Sequence, residues 1–263
     1  MDKPPIPENV VVATMADGIA TIRMNHTAKR NALSAPMLDG MIAAFHRFTT
    51  ARVIIIRAGE TDTVWSAGFD ITALADGQDP LADTGKLHAL FACVRDCPAP
   101  VIAMLHGSAW GGACDLALRC DILIGDPSAS LAFTPARIGL PYDLEGLANA
   151  MRRMGVNIAM EMFATGAPVA ADRAHQLGLL NHLVSAGDLE TFTYAMARQI
   201  AGNAPLAVIA AKRQLRLLAE YLPLSAEQLA EARRLREEVL ASADCREGVA
   251  AFLEHRPPRF TGS

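Results

Sequence analysis

Two glycine-rich stretches of this chain are able to do chemistry with backbone groups. The longer one runs Leu105-His106-Gly107-Ser108-Ala109-Trp110-Gly111-Gly112-Ala113-Cys114-Asp115 and continues to Asp126. The Gly111-Gly112 pair lets a ligand approach the main chain with no side chain in the way. A helix starting near Gly112 leaves its first N–H groups without intrahelical partners. Such donors, at the positive end of a helix dipole, stabilise an oxygen that becomes negative. The same glycines would also serve tight packing of a helix on a strand, and this stretch alone does not choose between the two. The second stretch, Val64-Trp65-Ser66-Ala67-Gly68-Phe69-Asp70-Ile71, again presents N–H groups at a turn, with Asp70 where a short helix could start. Its presence favours the chemical reading.

Both stretches need elements to hold them. A strand at 101–105, the glycine turn, a helix from about 112 and a strand at 122–124 form a crossover that sets a helix N-terminus in a crevice. Ahead of it, alternating β-formers at 10–15 and 19–24 flank Ala16-Asp17-Gly18 and predict a hairpin. Ser34 caps a predicted helix to about residue 48, with Met37, Met41, Ile42 and Phe45 on one face. The apolar run 53–56 reads as a strand covered on both sides. Residues 76–80 are loop-like and 84–97 helical. A short strand is expected at 131–133 and a last one at 181–184. From Leu144 on the pattern is almost wholly helical, broken at Gly155, 166–168, Gly178, Gly187 and 204–205. Ser225 caps a charged helix over 227–240 whose Arg and Glu residues read as a solvated face. The order is β-rich with crossovers first, then helices, with a soft division into a core, 1–200, and a helical region, 201–263.

The chain has 263 residues, 51% of them hydrophobic and 20% charged, enough to build one large core. A net charge of −4 offers no basic field for nucleic acid. Cys93, Cys97, Cys114, Cys120 and Cys245 form no Cys-x-x-Cys and no His cluster accompanies them, which argues against a metal site or a disulfide framework. Free thiols fit a reducing cytosol, so the expected location is cytoplasmic. The polar, Pro-rich start is no signal peptide, and no apolar run approaches membrane-spanning length.

Four segments together resemble the crotonase, or enoyl-CoA hydratase/isomerase, superfamily. They are Lys29-Arg30-Asn31-Ala32-Leu33-Ser34, Ser66 to Asp70, Gly107 to Asp121, and Gly178-Leu179-Leu180-Asn181-His182-Leu183-Val184. The resemblance spans nearly the whole chain. It implies an α/β spiral of ββα units, C-terminal helices that build a homotrimer or homohexamer, and an acyl-CoA substrate that brings coenzyme A with it, so that no separate cofactor and no metal is needed. It implies that the N–H groups of Phe69 and Gly112 hold the thioester oxygen. It places substrate and CoA along Lys29, Arg30, Ala32, Leu33, Ala67, Gly68, Asp70, Ile71, Trp110, Gly111, Thr134 and Pro135, with Phe252 and Arg256 closing the CoA pocket, in some relatives from a neighbouring subunit. Lys29 and Arg30 would pair phosphate oxygens, although each reads equally as surface charge; Trp110 reads as acyl-pocket wall or as core.

The departures from the hydratase pattern narrow the reaction. Hydratases use two glutamates around a water. The first position is Asp115 here, one methylene shorter, and the second is Ala136, which cannot carry a proton. Decarboxylation of a malonyl-type thioester needs the enolate stabilised and the carboxylate held out of plane, with no C–H proton removed. Pro141-Tyr142-Asp143-Leu144-Glu145-Gly146 resembles the Pro-Tyr-Asn-Leu-x-Gly segment of methylmalonyl-CoA decarboxylases, as do 108–113, 134–136, 163–168 and 204–207. The tyrosine of those relatives contacts the substrate carboxylate, and Tyr142 would do so here. The expectation is therefore a lyase acting through Phe69, Gly112, Tyr142 and Asp115. The rivals are a hydratase or other crotonase reaction using Asp115 or Asp143, and a non-catalytic binding protein on the same frame. Asp143 also reads as a cap for the helix from Leu144.

Overall fold

Alternation of apolar residues folds the start of the chain into a hairpin, β1 (Val11–Ala16) and β2 (Ile19–Met24). Asp17 and Gly18 both take positive φ, 52° and 75°, the two-residue turn whose twist matches its strands. The computed structural model describes residues 9–70, 84–219 and 226–259. Ile71, the 76–80 loop, the N-terminal eight residues and Ser225 lie outside them.

Helix α1 (Ala35–Arg47) starts after Ser34, which stands at the N-cap without a side-chain cap bond; it buries Met37, Leu38, Met41, Ala44 and Phe45. Three ββα-type turns follow. The first is β3 (Val53–Arg57), β4 (Val64–Ser66) and α2 (Thr84–Asp96). The second is β5 (Val101–Leu105), β6 (Ser108–Trp110) and α3 (Gly112–Arg119). The third is β7 (Ile122–Gly125), β8 (Ser130–Ala132) and α4 (Leu144–Thr165). Each turn gives its first strand to a six-stranded sheet, ordered β1-β2-β3-β5-β7-β10, and its second to a four-stranded sheet, β4-β6-β8-β9. Here β9 is Val169–Ala170 and β10 is His182–Leu183, with the short helix α5 (Ala171–Gln176) between them. This is the spiral that the resemblance implied.

The parallel middle of the large sheet, β2-β3-β5-β7, is covered on both faces, which explains its continuous apolar runs. Ile54, Ile56, Ala103 and Leu105 pack toward α1, α2 and α3. Ile55, Ile102, Met104 and Ile124 face α6 (Leu189–Gly202), through Leu189, Ala197 and Ala201. Gly155, with φ 75° and ψ 163°, breaks α4 internally, as its place in the sequence suggests. Helices α7 (Pro205–Ala219), α8 (Ala226–Ala241) and α9 (Ala243–Leu253) complete the described chain. Helix α9 folds back on the 3-10 turn Pro135–Ile138: a Cβ on Gly248 would lie 2.1 Å from the Ile138 carbonyl oxygen.

The small sheet differs from the sequence reading. Residues 108–110, read as part of the glycine turn, form β6, and the strand expected at 131–133 is Ser130–Ala132. Ser108-Ala109-Trp110 is too short to show a period of two and is no apolar run, so its pairing with β4 and β8 is what reveals β6. The five cysteines are unpaired. Among the described residues no helix is long and apolar enough to cross a membrane, and no group of three His, Cys, Asp or Glu is placed to hold a metal ion.

Candidate active site

The second glycine stretch, Val64 to Asp70, is tied to the loop that carries Lys29 and Arg30. Arg30 and Asn31 take left-handed φ of 49° and 51° and turn the chain there. Ala67 N–H donates to the Arg30 carbonyl at 2.8 Å, and Leu33 N–H to the Gly68 carbonyl at 2.7 Å. The buried Ser66 hydroxyl donates to the Asn31 carbonyl at 2.6 Å. Asn31 itself is buried: its oxygen accepts the His26 N–H, and its amide donates to Asp62 and to the Trp65 carbonyl. Asn31 thus joins the CoA-loop candidates Lys29, Arg30, Ala32 and Leu33 to the stretch holding Ala67, Gly68, Phe69 and Asp70.

Gly68 is where the two stretches meet. Its φ is +86°, and a Cβ there would lie 2.3 Å from the Trp110 carbonyl oxygen and 3.4 Å from the Gly112 nitrogen. From the other side, a Cβ on Gly112 would lie 3.6 Å from the Phe69 nitrogen. The Phe69 and Gly112 N–H groups are therefore neighbours, and no backbone carbonyl among the described residues outside regular elements accepts from either. Gly111 caps α3 with φ 49° and ψ −117°, a conformation that a residue with a Cβ resists, and sends its own N–H to the Ala132 carbonyl at 2.8 Å. This frees Gly112 to be the first donor of the helix. Leu87 of α2 comes within 3.4 Å of the Gly112 Cβ position and covers it. Thr134 stands beside Gly111, and Pro135 opens the 3-10 turn whose next residue, Ala136, is exposed. The Trp110 indole N–H is taken by the Ser108 hydroxyl at 2.7 Å.

One turn into α3, Asp115 is 0% exposed. Its Oδ1 accepts from Arg119 Nε at 3.1 Å and Asn149 Nδ2 at 2.7 Å, and its Oδ2 from Arg119 Nη2 and the Tyr142 hydroxyl, both at 3.2 Å. Four donors fill the acceptor sites of a carboxylate. Burial pushes the Asp115 carboxyl up, and the Arg119 charge and the Arg119 and Asn149 hydrogen bonds oppose that rise. The Tyr142 ring packs edge-on to Phe133 at 5.4 Å and tilted against Phe163 at 5.0 Å. Loss of solvent, then the Asp115 charge, pushes its phenol well above the ordinary range, so it is a proton-bearing donor. Asp143 caps α4: its carboxylate accepts the Gly146 N–H at 2.9 Å.

The structure gathers residues 29–33, 67–70, 110–112, 115, 134 and 142. Phe252, 46% exposed, and Arg256 are tied to this group through the seat of α9 on the 135–138 turn. The Arg256 guanidinium is paired with Glu247 and Glu254 of its own segment, and that partner holds the Glu247 carboxyl down at about 2. Sequence reasoning passed over Arg119, Asn149, Glu145 and His88. The i, i+4 spacing of Asp115 and Arg119 on one helix was the available signal; Asn149 and His88 carry none.

The sequence pattern of the enoyl-CoA hydratase/isomerase family matches residues 14–263. Methylmalonyl-CoA decarboxylase of Escherichia coli K12 is 37% identical over 247 residues, covering 93% of this chain and 95% of that one. Carnitinyl-CoA dehydratase of Proteus mirabilis is 36% identical over 244 residues, covering 89% and 92%. A solved structure of methylmalonyl-CoA decarboxylase in complex with 2-nitronate-propionyl-CoA superposes with a TM-score of 0.92 at 36% identity, over 97% of this chain and 99% of that one.

Proposed function

The chain belongs to the enoyl-CoA hydratase/isomerase family, and from that premise we propose that it decarboxylates a malonyl-type acyl-CoA such as methylmalonyl-CoA. The observation that carries this reading is the condition of Asp115. The side chain at the first hydratase position is saturated by Arg119, Asn149 and Tyr142, while the second position is the methyl group of Ala136. A site so built supplies two N–H donors for an oxyanion and no spare carboxylate to activate water. The 37% identity to a methylmalonyl-CoA decarboxylase supports the same reading.

The chemistry follows from that inventory. The thioester oxygen sits against the Phe69 and Gly112 N–H groups. The bond from Cα to the carboxylate breaks, its electron pair stays on Cα and delocalises onto the thioester oxygen, and CO2 leaves. The two donors stabilise the enolate as its charge develops; losing one such donor typically costs on the order of a hundredfold or more in rate. Cα then takes a proton from solvent water. Tyr142 directs the departing carboxylate by swinging its O–H from Asp115 to the substrate. Asp115 keeps its bonds to Arg119 and Asn149 meanwhile, and Arg119 balances its charge beside the anionic substrate. Lys29 and Arg30 pair CoA phosphate oxygens. Exposed Met151, Val156 and Met160 on α4, with Leu206, Leu215 and Leu218 on α7, support assembly as a trimer or hexamer.

Initial rates with methylmalonyl-CoA, malonyl-CoA, crotonyl-CoA and carnitinyl-CoA test the proposal. The expected result is turnover of the malonyl-type esters alone. Rapid hydration of crotonyl-CoA or dehydration of carnitinyl-CoA would overturn it and return Asp115 or Asp143 to acid–base work.

A further inference from the structure

A line of charged contacts runs from the surface to Tyr142, and Arg119 is at its middle. The Arg119 guanidinium lies 4.1 Å over the Phe91 ring, grips both oxygens of Asp115, and extends Nη1 to Glu145 Oε1 at 2.9 Å. The other oxygen of Glu145 is 3.5 Å from His88 Nδ1. His88 is next to Leu87, the residue that covers Gly112. The contacts therefore join α2, α3 and the start of α4 around the site. Facing His88 are Glu145 and Asp143 from the start of α4 and Arg119 from α3; Arg95, on the same helix as His88, lies 3.9 Å from Glu145.

We propose that Arg119 is a positioning residue for Tyr142, acting through Asp115, and that the Glu145–His88 pair is the outer clamp that holds Arg119 in place. This rests on the reading that Tyr142 orients the substrate carboxylate. Without Arg119 the buried Asp115 would take up a proton. A protonated Asp115 would donate to the Tyr142 oxygen, so the charged acceptor from which the phenol turns to the substrate would be replaced by a neutral partner in another orientation. The outer pair works in the same sense. The Glu145 hydrogen bond raises the His88 pKa above its ordinary value, and His88 with Arg119 holds Glu145 down at about 2. A group with a raised pKa contributes its contact below that pKa and loses it as pH rises through it. Deprotonating His88 therefore loosens α2, with Leu87, from α4. The rate should fall on the alkaline side of the His88 titration.

The test compares wild type, His88→Gln, Glu145→Gln and Arg119→Lys. Wild-type kcat for CO2 release should fall with rising pH through the His88 titration. His88→Gln should lack that limb and run about tenfold below wild type at its acidic end, with KM for methylmalonyl-CoA little changed. Superimposable pH profiles of wild type and His88→Gln would overturn the clamp. A second measurement needs no turnover: the His88 ring titration followed by NMR. It should move down in Glu145→Gln and shift in Arg119→Lys, and identical titrations in all three proteins would overturn the proposal. If wild type releases no CO2, the decarboxylase reading fails by itself, and the NMR result alone decides whether these side chains form one coupled unit.

Discussion

Gly68→Ala is the smallest change that separates the Phe69 and Gly112 N–H groups, the two proposed oxyanion donors. The new Cβ would stand 2.3 Å from the Trp110 carbonyl oxygen. Carbon–oxygen contacts settle at roughly 3.3 Å or more, so the two stretches must part by about 1 Å. The φ of +86° at this position adds strain of about 1–2 kcal/mol for a residue with a Cβ. A misplacement of about 1 Å in a reacting site costs on the order of a hundredfold in rate. The expected enzyme folds, as judged by circular dichroism and cooperative urea unfolding, with a stability loss of a few kcal/mol at most. Its kcat for CO2 release from methylmalonyl-CoA should be lower by about a hundredfold. A folded Gly68→Ala protein with wild-type kcat would refute the argument that the Phe69 and Gly112 N–H groups must stand together.

Tyr142→Phe keeps the ring against Phe133 and Phe163 and removes one hydrogen bond to a charged group, about 1.5–3 kcal/mol, so CO2 release should slow by about tenfold to a hundredfold while propionyl-CoA binding holds; unchanged release beside a dead Asp143→Asn enzyme would move the chemistry to Asp143. Asp115→Asn leaves the buried Arg119 charge short of its partner and should cost about 3 kcal/mol or more by urea unfolding. Gly248→Ala pushes α9 off the Ile138 carbonyl and should lower stability by about 1–3 kcal/mol; an unchanged midpoint would mean α9 is not seated on that turn. Because Glu145 is held at about 2 against an ordinary 4.5, its contribution is complete above 4.5 and lost as pH falls toward 2. Glu145→Gln should therefore show less acid destabilisation than wild type when urea midpoints are followed downward from pH 5.

What the sequence disclosed depended on how local the signal was. The hairpin at Asp17-Gly18, helix α1 behind Ser34 and the buried runs of β3, β5 and β7 rest on periodicity and turn chemistry within a few residues. Gly68, Gly111 and Gly112 were visible as glycines; that Gly68 abuts the Trp110 carbonyl is a tertiary fact with no local trace. The short strand β6 is indistinct from the glycine turn in the sequence because three residues show no period. By sequence Asp115 is a shortened catalytic carboxylate. Its saturation by donors from α3, α4 and the segment before α4 required knowing which elements converge, and nothing near Asn149 or His88 marks them as its neighbours or as members of its network. The capping role of Asp143, by contrast, needed only the residue type and the helix that follows it.

The most direct test of the central claim is mass spectrometry of the reaction with methylmalonyl-CoA labelled with 13C in its free carboxylate, run in D2O. Decarboxylation through a held enolate predicts release of the label as 13CO2 and a propionyl-CoA product carrying one deuteron at Cα. Retention of the label in the acyl-CoA, together with addition of water to crotonyl-CoA by the same preparation, would contradict it.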